Sequence, residues 1–376
     1  MVRRDCLQRL AALAASLELS PSGNAHAARG SSILSLGDTA QKRGLQYGAT
    51  PEADMADVPA AYSELFAEHC RLLAPNLSWA HVSKAPGQYD FSSEQGTLDF
   101  AQSYSMMLTG AHLLWHEETP AWFAEASDRA AAERMVADHI RAMTTRFAGR
   151  VYSWNVVNEA INPGDGREDG LRKSPLLAKL GDGYIASAFR TAREFDQRSL
   201  LVYNDYDLEL DNPEQESRRR ALLGLLDNLL AARAPIGAVG LQSHLKLQSC
   251  CFKQEVYRRF LGEIEARGLK IMITELDVLD NGAPSNIAQR DRAVAEAYKR
   301  ILEVALDSPA LIAVVTWGLS DRYTWLTPRY SPRFARADGL PGRPLPFDSD
   351  YAPKPAYWTL IRGLQDAPKR RAVYVE

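Results

Sequence analysis

Val151-Tyr152-Ser153-Trp154-Asn155-Val156-Val157-Asn158-Glu159 is an apolar, β-branched run that ends on a carboxylate. Lys270-Ile271-Met272-Ile273-Thr274-Glu275 ends in the same way. In each, the carboxylate stands where a buried strand would emerge from a barrel, and an ionisable group there is expensive to desolvate unless it is used. Strand-like runs recur at 45–49, 72–77, 107–115, 151–158, 199–204, 236–243, 270–274 and 311–317. Amphipathic segments lie between them, among them 128–147, 214–232, 253–267 and 286–306. Arg267-Gly268 gives one of these a glycine stop. Strands that alternate with helices in this way predict an α/β fold, a single (β/α)8 TIM barrel. A doubly wound sheet is the competitor. It would want a glycine-rich phosphate turn after the first strand, and Gly44-Leu45-Gln46-Tyr47-Gly48 is not one.

The chain of 376 residues is 46% hydrophobic and 24% charged, enough to build a large core and one or two domains. A net charge of −3 offers no electrostatic case for nucleic acid or an anionic membrane surface. No uncharged apolar stretch approaches the roughly 20 residues needed to span a bilayer. Arg3-Arg4, the apolar stretch 10–17 and Ala25-His26-Ala27 read as a twin-arginine export signal over 1–27, with an amphipathic helix or a disordered tail as the alternatives. Residues 28–44 are read as a flexible junction, 45–365 as the barrel and 366–376 as a tail. The segment 328–355 carries seven prolines and predicts a long loop before a last helix. Cys6, Cys70, Cys250 and Cys251 fit no zinc spacing, and no cofactor or metal is expected. The chain is expected to act as a monomer.

The active site of an α/β barrel is assembled at the carboxyl ends of its strands. Here those ends carry His116, Asn158, Glu159, Asn204, Asp205, Gln242, His244, Glu275, Asp277, Trp317 and Asp321. Paired carboxylates on opposite sides of a barrel mouth suit cleavage of a glycosidic bond. One acid protonates the leaving oxygen, while an ionised partner attacks or supports the anomeric carbon. Retaining enzymes hold the two groups roughly 5–5.5 Å apart. Asn158 is placed to bind a sugar hydroxyl next to the reacting carbon. His244 is placed to hold Glu275 ionised, with Asp277 orienting the histidine. Trp115, Trp317 and Trp325 offer flat faces for sugar rings.

The chain resembles glycoside hydrolase family 10, the family of retaining endo-β-1,4-xylanases. Trp154-Asn155-Val156-Val157-Asn158-Glu159-Ala160 and Ile273-Thr274-Glu275-Leu276-Asp277-Val278 carry the resemblance. Leu113-Leu114-Trp115-His116, Tyr203-Asn204-Asp205-Tyr206, Gly240-Leu241-Gln242-Ser243-His244-Leu245 and the run from Thr316 through Trp317 and Trp325 to Leu326 support it. These motifs stand in the family's order over 45–360. The resemblance implies that Glu159 is the acid/base and Glu275 the nucleophile. It implies that Asn158, Trp115, His116, Gln242, His244, Trp317 and Trp325 line the subsites around the cleaved bond. It places Tyr206 on the leaving-group side and makes a polysaccharide the partner.

Two departures stand out. The family's Glu-Asn-x-Met-Lys-Trp reads Ala74-Pro75-Asn76-Leu77-Ser78-Trp79 here, so the acid and the lysine are gone. Trp79 is retained and is assigned to substrate binding. The family's Gly-His-Thr-Leu-Val-Trp-His puts its first histidine on Ala111, and the neighbouring His112 is expected to face the other way, because strand neighbours alternate. Losing both charges removes several hydrogen bonds of roughly 0.5–3 kcal/mol each from glycone recognition. The expected function is therefore a retaining endo-acting β-glycosidase for xylan or a related β-1,4-linked polysaccharide. The alternative is a low-activity carbohydrate-binding or transglycosylating protein acting on a bacterial exopolysaccharide. His69, His81 and His139 are read as surface residues, and Arg218-Arg219-Arg220 as a solvated helix face. His116, His244 and Asp277 lack a metal-binding spacing.

Overall fold

Eight parallel strands form the centre: β1 (Gln46–Ala49), β2 (Leu72–Leu73), β3 (Met107–Gly110), β4 (Val151–Asn158), β5 (Leu200–Asp205), β6 (Ala238–Leu241), β7 (Lys270–Leu279) and β8 (Leu311–Thr316). Each pairs with the next, and β8 returns to β1 through Ala49↔Thr316, so the sheet closes into a (β/α)8 barrel. The computed structural model describes residues 33–248 and 251–373, so the expected export signal at 1–27 lies outside the described residues.

All eight residues of β4 are buried, as its valines and aromatics require. Inside the barrel, Leu72, Val202, Ala238, Met272, Ile312 and Val315 pack into one cluster drawn from five strands. Two of the long helices start where a short polar residue takes up a free N–H group. Asp128 accepts from Ala131 N at 2.8 Å to open Arg129–Arg146, and Asn286 accepts from Gln289 N at 3.1 Å to open Ile287–Ala305. Gly268, at φ +76°, ends the helix Gln254–Ala266 as expected. Because all eight barrel strands run in parallel, their carboxyl ends gather at one mouth of the barrel, where the cleft opens.

Several expectations change. The run 72–77 leaves the ladder after Leu73, and Pro75 has no N–H with which to continue it. The run 107–115 is two pieces, β3 and a separate Leu114–Trp115 strand that pairs with Val157 and Asn158. The run 270–274 extends to Leu279, with His244–Lys246 pairing beside Asp277–Leu279. Within the stretch read as a junction, Leu36–Gln41 is a helix with Leu36 and Ala40 fully buried. In the stretch read as a tail, Arg370 donates to the carbonyls of Leu306, Ser308 and Leu311. His69 and His139 are buried rather than exposed. Arg218 and Arg219 are buried as well: Arg218 pairs with Asp205, and Arg219 donates to the carbonyls of Leu208 and Leu210. An isolated sequence window cannot show that an arginine has a carboxylate waiting on another element. Among the described residues no helix is long and apolar enough to cross a membrane.

Candidate active site

A cleft of about 880 Å³ opens at the carboxyl ends of the strands, and both Glu159 and Glu275 line it. Four non-glycine residues with left-handed backbone stand just past these ends: Glu52 (φ +58°), Glu159 (+56°), Asp207 (+53°) and Ser243 (+59°). Backbone strain of this kind gathers where geometry is held for function.

Glu159 follows β4 and is 8% exposed. Its backbone N–H donates to Asn204 O at 2.9 Å, and its own carbonyl accepts from Arg172 Nε at 2.7 Å, which fix the turn. Its carboxylate faces neutral donors only. Oε1 accepts from Gln242 Nε2 at 2.9 Å and Asn158 Nδ2 at 3.1 Å, and Oε2 accepts from Trp115 Nε1 at 3.0 Å. Burial raises its pKa, Asp205 and Glu275 add to the rise, and the Gln242 and Trp115 hydrogen bonds oppose it without cancelling it.

Glu275 lies within β7 and is 5% exposed. Oε1 accepts from Asn204 Nδ2 at 2.8 Å, and Oε2 lies 3.0 Å from His244 Nε2. His244 Nδ1 lies 2.9 Å from Asp277 Oδ1, and Asp277 Oδ2 accepts from Trp325 Nε1 at 2.6 Å. Burial would raise Glu275, but the imidazoles of His112 and His244 overcome it and bring the pKa down to about 2. Burial would likewise lower His244, yet Asp277 and Glu275 push it well above its usual value. An imidazolium is thus clamped between two carboxylates. The two halves of the site are joined by Asn204, whose Nδ2 also reaches Asn158 Oδ1 at 2.9 Å.

Two buried carboxyls in one cleft, one with its pKa raised and the other with its pKa lowered, suit acid-assisted nucleophilic displacement. The glycosyl hydrolase family 10 profile matches residues 35–362. The chain belongs to glycosyl hydrolase family 10. Over 349 residues it is 28% identical to endo-1,4-beta-xylanase B of Thermotoga neapolitana, covering 91% of this chain and 95% of that one. Over 314 residues it is 31% identical to a beta-1,4-xylanase of Dictyoglomus thermophilum, covering 80% and 84%. The solved structure of xylanase 10B from Thermotoga petrophila RKU-1 in complex with xylobiose superposes with a TM-score of 0.78 at 27% identity, covering 89% of this chain and 98% of that one. The family 10 protein described here is therefore a glycosidase that hydrolyses O-glycosyl bonds.

Around its two glutamates the cleft is lined by Asn158, Gln242, His244, Trp115, Trp317, Trp325 and Tyr206, all expected there. Tyr206 OH accepts from Arg172 Nη2 at 2.9 Å, and the Arg218 guanidinium sits 4.1 Å from the centre of its ring. Asp277 lines the same wall. Two assigned residues do not line the cleft. Trp79 is 1% exposed and stacks on His139 at 4.6 Å, so it supports the wall from behind. His116 is half-buried beside Glu117, and its pKa falls to about 4 through burial and then the charge of Arg172. Asp205 and Asp321 serve structure instead: Asp205 pairs with Arg218, and Asp321 with Lys354 at 2.8 Å.

The sequence reading missed Glu52, Arg172 and His112. Glu52 lines the cleft, and burial, then the charges of Asp277 and Glu275, push its pKa up to about 8. Its one sequence signal is its place just after a strand, a place many surface glutamates share. Among the described residues no group of three or more His, Cys, Asp or Glu side chains is arranged to hold a metal.

Proposed function

We propose that the protein is a retaining, endo-acting β-glycosidase for xylan or a related β-1,4-linked polysaccharide. Glu159 is its acid/base and Glu275 its nucleophile. The opposed pKa shifts of these two buried carboxyls carry the reading. Protonated Glu159 gives its proton to the leaving oxygen as that bond to the anomeric carbon breaks. A Glu275 oxygen forms a new ester bond to the same carbon. Glu159, now ionised, takes a proton from water, the water oxygen bonds to the anomeric carbon, and Glu275 leaves as carboxylate. His244, charged and braced by Asp277, favours the ionised leaving carboxylate in this second step. Asn158 presents its amide beside Glu159, where a hydroxyl next to the reacting carbon would lie. The names of the relatives support the xylan reading.

The glycone-side wall supports an altered substrate. Ala74 and Ala111 line it, where the family motifs would bring a glutamate and a histidine, and buried Ser78 stands where they would bring a lysine. Digestion of a β-glycan panel, with product masses, tests the proposal. Cleavage of a β-1,4-linked polymer into internal fragments, with retained anomeric configuration and loss in Glu275→Ala, is the expected result. Release of single sugars from chain ends, or inversion, would overturn it. If a panel that includes bacterial exopolysaccharides is bound but not cleaved, the binding-protein reading takes over; products longer than the substrate would support transglycosylation. Export rests on Arg3-Arg4 and Ala25-His26-Ala27. Its test is the N-terminal sequence of protein recovered outside the cytoplasm.

A further inference from the structure

His112 is 6% exposed and lines the cleft. Neither of its ring nitrogens has a hydrogen-bond partner among the described residues. Its Nε2 lies 3.8 Å from Glu275 Oε1, too far for a hydrogen bond between them. Both Glu275 oxygens already have nearer partners in Asn204 and His244. The sequence expectation was that His112 would face away from the cleft. That expectation applied strand alternation across a segment where the ladder stops at Gly110 and resumes at Leu114. On one side the ring packs 5.0 Å from Trp115, centre to centre. Around it, Ala74 and Ala111 contribute no polar side-chain atom to the wall.

Glu275 gives His112 an ion-pair contact, but a buried imidazole left without a hydrogen-bond partner costs free energy that a bound hydroxyl recovers. We propose that His112 is a substrate-binding residue that takes a hydroxyl of the sugar attacked by Glu275. His112 Nε2 and Glu275 Oε1, 3.8 Å apart, are close enough to meet the same sugar ring. Asn158 and Glu159 approach that ring from β4, and His112 closes the wall that Ala74 and Ala111 leave bare. The inference rests on Glu275 being the nucleophile.

The test uses aryl β-xylobioside and β-cellobioside, each also in 2-deoxy and 3-deoxy form at the sugar that reacts. His112→Ala is expected to lower kcat/KM on a fully hydroxylated probe about 10- to 100-fold. On one monodeoxy form the same substitution should change it by less than about twofold, because the hydroxyl it served is gone. His112→Gln keeps a donor and should recover part of the loss. Equal losses on all forms, or unchanged kcat/KM with a lowered Tm, would overturn the inference. If His112→Ala does not fold, His112→Gln decides in the same way, by whether its loss depends on one hydroxyl. If the unsubstituted protein cleaves none of the probes, the functional reading fails first and this inference with it. If cleavage is lost in Glu275→Ala while His112 variants match the unsubstituted protein, only this inference fails.

Discussion

The ends of β4 and β7 both present a buried glutamate to the cleft, and the two are matched in burial but not in company. Glu159 is met by an indole and two amides. Glu275 is met by an amide and by an imidazolium braced on Asp277. Desolvation raises both. Neutral donors leave Glu159 raised, while the imidazoles of His112 and His244 carry Glu275 down to about 2. The lesson is that partner charge, not depth of burial, sets the two carboxyls apart in proton affinity.

The largest expected effect comes from deleting the ionised side. Glu275→Ala should lower kcat by about 10⁴-fold or more on polymer and aryl glycosides alike, since no other group forms the ester. A residual rate within tenfold, roughly 1.4 kcal/mol in barrier, would break the comparison. Next is Glu159→Gln, expected to cost about 10²–10⁴-fold on substrates with poor leaving groups. An activated aryl leaving group needs little proton donation, so its glycosylation step should suffer far less. Equal losses on both substrates would remove the acid role.

His244→Asn sharpens the comparison by taking the charge from β7. With burial unchanged, Glu275 should protonate at higher pH, and the acid limb of kcat/KM should move up by more than about one unit. Stability should follow. Glu275 is depressed below its usual 4.5, so its contribution is present above that pH and is lost as pH falls toward 2. His244 is raised above its usual 6.5, so its contribution is full below that pH and fades as pH rises through its folded value. The variant should therefore lose most stability, as Tm, between pH 4.5 and 6.5. The smallest expected effect is at β4. Trp115→Phe keeps the aromatic face and removes one donor to ionised Glu159. The basic limb should move up by less than about one unit, and a downward move would contradict the assignment.

Much of this was legible in the sequence, and the exceptions share a cause. The strands and the glycine stop at Gly268 rest on local rules, periodicity and capping, which short windows contain. Glu159 and Glu275 stood out because carboxylates ending apolar runs conflict with burial, and both are buried side chains that line the cleft. Trp79 looked like a sugar platform and lies behind the wall, because its motif position says nothing about the His139 ring that covers it. Arg218 looked solvated because Asp205 belongs to another element. His112 was turned the wrong way because a strand was drawn through a break in the ladder.

The amino-acid order alone determined the barrel, the pair of carboxylates at its strand ends and the loss of charge at Ala74, Ser78 and Ala111. Tertiary structure decided which carboxyl has its pKa raised and which has it lowered. That choice depends on Gln242, Asn204, His244 and Asp277, which β5, β6, β7 and the turns after them carry to the same few ångströms. Electrostatic energies vary with distance and burial, and neither exists until the barrel has closed.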